Sequence, residues 1–174
     1  MNNPIPMLVC GGLMAISPTV APAYDQPNGK ATSPAQGTGL GHHSPLSQIP
    51  PLTPRSDVVS WDLFGGVKRT FRDGLMIPVF PSALERLDGR VVKLQGFVMP
   101  LDVGLGQSHF LLSSVPTTCP YCVPAGPEGL VDVHVSNAVR FTPRAILVTG
   151  RLAVLRADKY GLFYRLEDAR VIEE

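Results

Sequence analysis

From residue 91 onward the chain alternates apolar and polar positions with a period of two. In residues 91–99, Val92, Leu94 and Val98 share one face, and Lys93 and Gln95 lie on the other. That spacing predicts a half-buried β-strand. Pro100 ends it, and the glycine-rich residues 102–107 predict a turn into a second strand over Ser108–Ser113, paired with the first as a hairpin. Residues 130–135 predict a third strand, with Val131, Val133 and Val135 inward and Asp132 and His134 outward. A long fourth strand over residues 145–155 sets Ile146, Val148, Leu152 and Val154 on one face. A fifth over residues 162–172 follows the turn Asp158-Lys159-Tyr160-Gly161. Gly96 and Gly150 interrupt the first and fourth strands where a tightly curved sheet needs a bend. Five short strands with two glycine bends predict a mainly β domain, a small OB-like barrel. A β-sandwich is the alternative.

Ahead of the strands, Pro81–Gly89 reads as a short helix. Ser82 and Glu85 have capping-box spacing, Leu84 and Leu87 form an apolar face, and Gly89 supplies a left-handed stop. Ordered structure is expected from Val58, with Trp61 and Phe64 anchoring on the outside of a single barrel domain, residues 58–174. Residues 24–57 are rich in Pro, Gly, Ser, Thr and Gln and poor in large apolar side chains. Such a segment buries too little surface to offset its ordering entropy, so a disordered tail is expected. The pair His42-His43 within it reads as incidental. Residues 5–20 are apolar and uncharged, and Ala21-Pro22-Ala23 follows. The run is too short for a stable span, and the expectation is a secretory signal peptide, residues 1–23, although no Lys or Arg precedes it. The chain is then periplasmic or secreted, with no membrane span after cleavage.

Charge changes the picture by exclusion. With 15 Lys+Arg against 14 Asp+Glu the chain has no basic footprint, which argues against nucleic acid as a partner. Of the three cysteines, Cys10 falls in the expected signal peptide, without the small residues that precede a lipid-attachment cysteine. The mature chain keeps an even pair, Cys119 and Cys122, in an oxidising compartment.

That pair, Cys119-Pro120-Tyr121-Cys122, is the sharpest chemical signal, and three readings of it stand. In the first, two thiolates form half of a tetrahedral zinc site, with His109 as third ligand and His134 as a further candidate. In the second, the pair is a thiol–disulfide redox centre. Its Pro-Tyr spacer is that of glutaredoxins, but Val123-Pro124-Ala125-Gly126-Pro127 forbids the helix that such a motif opens. In the third, the proline-braced loop is a non-catalytic interaction module. Lys68, Arg69 and Trp61 are then candidate partner contacts, although a solvated edge is the favoured reading of the basic cluster Lys68–Arg72. No nucleophile elbow, phosphate loop or metalloprotease motif is present, and no catalytic residues are assigned.

The segment Leu87-Asp88-Gly89-Arg90-Val91-Val92-Lys93-Leu94-Gln95-Gly96-Phe97-Val98-Met99-Pro100-Leu101 resembles the signature of an uncharacterised, exported bacterial domain-of-unknown-function family. Phe110-Leu111-Leu112, the Cys- and Pro-rich loop, Val148–Leu152 and Gly161–Leu166 extend the resemblance over residues 58–172. The resemblance implies a periplasmic or lipid-anchored protein. Some members of the family sit beside ABC-type transporters controlled by zinc availability. An accessory, metal-handling role near an envelope transporter is therefore expected. No catalytic residues carry over from the family.

Overall fold

The computed structural model describes residues 37–72 and 75–172. The expected signal peptide, and the expected tail up to residue 36, lie outside the described residues. Five strands close a barrel: β3 (Val91–Pro100), β4 (Gly106–Ser113), β5 (Leu130–Arg140), β6 (Ile146–Val154) and β7 (Tyr164–Ile172). Two further strands precede them, β1 (Lys68–Arg72) and β2 (Leu75–Val79), and form a separate antiparallel hairpin. The barrel order is β3-β4-β5-β7-β6, with β6 returning to β3. All neighbours are antiparallel except β5 and β7, which run parallel. This is the expected five-stranded OB-like barrel.

The alternation read from the sequence governs what is inside. Leu94, Val98, Phe110, Leu112, Val131, Val133, Val148, Leu152 and Leu166 are all buried in the barrel core. The two bends fall where expected, and each has a steric cause. A Cβ on Gly96 would stand 2.7 Å from Leu112 Cγ, at the point where β3 leaves β6 and takes β4 as partner. One on Gly150 would stand 2.8 Å from Leu166 Cγ, inside the register shift between β6 and β7.

The barrel's end is plugged by a four-residue helix, α1 (Trp61–Phe64), capped by the Ser60 side chain. The Phe64 ring is fully buried and meets the Tyr164 ring edge-on at 4.7 Å, and Tyr164 Oη donates to the Phe64 carbonyl at 2.8 Å. The helix expected over residues 81–89 is shorter, α2 (Ser82–Glu85), and its capping box does not form. Pro81 occupies the N-cap and supplies no side-chain bond, while Glu85 turns outward to Arg156 at 3.1 Å. Gly89 does take the left-handed conformation, φ +73°.

The expected disordered segment needs a correction. Residues 37–57 lie against the barrel as an irregular strap. His42 and Val123 exchange both backbone hydrogen bonds, at 3.0 and 2.9 Å, and Gly126 N–H donates to the Gly39 carbonyl at 2.9 Å. Backbone pairing to a proline-rich loop holds the strap where its own side chains offer little apolar area to bury.

Candidate functional site

The site lies on the outer face of β4 and β5. Phe110 and Leu112 point into the barrel, so His109 and Leu111 point out. On β5 the same parity turns Asp132 and His134 outward between Val131, Val133 and Val135. The β4–β5 register places His109 directly opposite His134, and their rings stack at 4.2 Å with a 17° tilt. The parallel pairing of β5 with β7 places Arg165 opposite Asp132. Three polar side chains, one from each of three strands, thus meet around one carboxylate.

Asp132 accepts from His109 Nε2 at 2.7 Å on Oδ1, and on Oδ2 from Arg165 Nε at 2.8 Å and His134 Nε2 at 3.3 Å. Its side chain is only 5 % exposed, whereas the His109 and His134 side chains are 40 % and 49 % exposed. Burial works to raise the Asp132 pKa. The hydrogen bonds from Arg165 and His109 and the charges of His134 and Arg165 outweigh it and hold the carboxyl below its ordinary range. Asp132 is therefore a carboxylate at neutral pH, an acceptor only, and each histidine facing it presents an Nε2–H. Arg165 is held in its charged form, first by its hydrogen bond to Asp132.

This trio offers donors to a metal. One ligand atom each from His109, Asp132 and His134 lies within 4.8 Å of the others, the only such group of three or more among the described residues. Around a tetrahedral zinc ion, ligand atoms stand roughly 3.3 Å apart. Two imidazoles and a carboxylate on rigid strands need only small side-chain adjustments to reach that geometry. Arg165 is the outer partner that orients the carboxylate. The trio forms part of the wall of an open cavity of about 640 Å³, which also touches Leu101, Leu111, Lys159, Tyr160, Leu162 and Glu167.

The expected four-residue set of Cys119, Cys122, His109 and His134 does not converge. Cys119 and Cys122 are joined as a disulfide, and neither contributes to the donor group. Their loop packs at the Ser113 and Leu130 end of the same face and lines a separate cavity of about 280 Å³. Ser113 is four residues from His109, about 13 Å along an extended strand, and Leu111 fills the interval with Val115, Ala125, Leu130 and Leu162.

Two of the three expected partner contacts, Trp61 and Arg69, are engaged within the chain. Trp61 Nε1 donates to the Gln95 carbonyl at 2.8 Å, and its ring packs against Phe64. Arg69 donates to the buried carboxylate of Glu128 at 2.6 Å. Lys68 is exposed on β1.

Asp132 and Arg165 join the candidate site without having been singled out by the sequence pattern. The pattern Asp132-Val133-His134 does place a carboxylate and an imidazole on one strand face. Adding His109 and Arg165 requires the pairing register of three strands.

Among the described residues no helix is long and apolar enough to cross a membrane. No protein-family model and no curated protein matches the chain. Among solved structures, the chain is similar to a DUF3299 family protein from Pseudomonas aeruginosa PAO1. The identity is 23 % over 56 % of this chain and 68 % of that one, with a TM-score of 0.44.

Proposed function

We propose that this chain is an exported accessory protein that binds zinc or a similar divalent ion at His109, Asp132 and His134, in the neighbourhood of an envelope transporter. The observation that carries the reading is the donor trio itself, with ligand atoms within 4.8 Å of one another on adjacent strands. Imidazole and carboxylate suit a borderline ion such as zinc. Three protein ligands facing an open cavity leave a coordination position accessible, which suits a protein that must release its ion as well as hold it. The transporter and the export route come from the resemblance of residues 87–101 and the apolar N-terminus.

The test is metal content and affinity of the purified protein, by elemental analysis and isothermal titration calorimetry with zinc. One zinc per chain is expected. His109→Ala and His134→Ala should each weaken binding by at least tenfold. Cys119→Ser/Cys122→Ser should leave it unchanged. Zinc that stays with both histidine variants and leaves with the cysteine variant would move the site to the loop and sink the trio. A protein that binds no zinc at all, with Cys119–Cys122 exchanging readily with an external dithiol, would favour the thiol–disulfide reading. The disulfide's place beside a cavity, with Cys122 half-buried, supports that second reading.

A further inference from the structure

The cavity above the trio is too large and too mixed in character for a bare ion. A water molecule occupies about 30 Å³ of liquid, so an ion with six waters needs on the order of 180 Å³. The cavity is about 640 Å³, within the range that holds small organic ligands. One part of its wall is apolar, formed by Leu101, Leu111 and Leu162, and its polar groups are concentrated around Asp132 and at Lys159, Tyr160 and Glu167. Apolar walls with a few convergent polar groups are the usual make-up of a small-molecule site.

Its position in the fold agrees. Counted from β3, the first strand of the barrel, the cavity lies over the second and third strands and reaches the fifth through Arg165 and Glu167. The loop between the first and second strands contributes Leu101, and the loop between the fourth and fifth contributes Lys159, Tyr160 and Leu162. That combination of face and loops is where OB barrels take extended ligands.

Charge narrows the ligand class. Lys159 and Arg165 balance Asp132 and Glu167 in the lining, and Asp158, 3.8 Å from Arg165, adds one negative charge. With neutral histidines the surroundings carry a net charge of about −1, and a bound dication turns this to about +1, a site matched to one further anion. The lining also holds the Lys159 ammonium, which lies over the Tyr160 ring, 4.6 Å from its centre.

We infer that the site takes its ion as a complex with a small monoanionic carboxylate chelator. The chelator's donor atoms fill the coordination positions that the trio leaves open, and its organic part lies against Leu101, Leu111 and Leu162. This rests on the trio holding a metal.

Picolinate, a bidentate aromatic monocarboxylate, is a suitable probe, followed by equilibrium dialysis with its ultraviolet absorbance, with and without zinc. One picolinate per chain should be retained with zinc and none without it. Leu101→Asp places a like charge on an already exposed part of the wall. It should keep the zinc and lower picolinate retention at least tenfold, while His134→Ala should lose both. Zinc bound at one per chain with no picolinate retained overturns this inference and leaves the metal reading standing. Equal retention without zinc overturns the chelate, because the cavity then binds an organic anion by itself. Failure to bind zinc removes the metal reading and this inference together.

Discussion

At the scale of single residues, Asp132 decides the character of the site. It is a buried carboxylate whose two oxygens are both engaged, by two imidazoles and a guanidinium. A carboxylate this buried is tolerated only when paired and hydrogen-bonded. Arg165 supplies the part of that pairing that a metal leaves in place, because a metal would displace only the two imidazole protons. Arg165→Gln should therefore weaken zinc binding by about 10–100-fold without removing any ligand. Calorimetry alongside an unfolding curve checks this, since a variant that is merely less stable would not change the affinity of its folded fraction. The period-two pattern already set Asp132 and His134 on one outward face. It did not show that the outward Asp132 is buried, because burial on an outer face comes from side chains on neighbouring strands. Those neighbours are a matter of register, and no local pattern encodes the pairing of His109 with His134 or of Asp132 with Arg165.

At the scale of elements, the barrel strands were legible and their surroundings were not. Each barrel strand has enough alternating positions to declare its period. The β1–β2 hairpin does not, because β1 is exposed along its whole length and so carries no apolar face to read. The strap is illegible in the sequence for a related reason, since it is held largely by backbone bonds, which leave no trace in side-chain composition. The hairpin is tied to the barrel by Arg69, which meets Glu128 in the 3-10 turn Pro127–Gly129 ahead of β5. Glu128 is 4 % exposed, and its Oε2 finds no partner among the described residues. Removing one partner of a buried pair costs about 3–5 kcal/mol, because the other charge is left uncompensated. The Arg69 side chain is 39 % exposed, so solvent screening reduces the expected cost of Arg69→Ala to roughly 2 kcal/mol. The double variant Arg69→Ala/Glu128→Gln should recover most of that loss, since the stranded charge is gone. Urea unfolding of the two single variants and the double closes the cycle. Additive losses would show that the pair is not coupled.

At the scale of the whole molecule, closure of the barrel and the placement of its plug form one problem, and Tyr164 sits at their junction. It begins β7, is fully buried, packs edge-on against Phe64 and donates its hydroxyl hydrogen to the Phe64 carbonyl. Burial first, and then the negative charge of Glu128, push its ionisation far above the ordinary value of 10.0. The linkage has a definite sign. A group whose folded pKa is raised contributes stability that is fully present below the unfolded pKa and is lost as pH rises above it. In the unfolded chain Tyr164 ionises near 10.0 and gains by doing so, while the folded protein holds its proton. Each pH unit above that point should therefore cost about 1.4 kcal/mol through this one residue. Tyr164→Phe has no proton to lose, but it strands a buried carbonyl, at a cost of about 1–3 kcal/mol at neutral pH. The variant should thus be less stable than the parent at pH 7, and the gap should narrow by about 1.4 kcal/mol by pH 11. Urea midpoints of both proteins at the two pH values measure this. Taking the difference between them cancels the lysines and other tyrosines that titrate in the same range. A gap that stayed constant with pH would show that Tyr164 ionises as readily folded as unfolded, and that the plug does not seal the barrel's end from water.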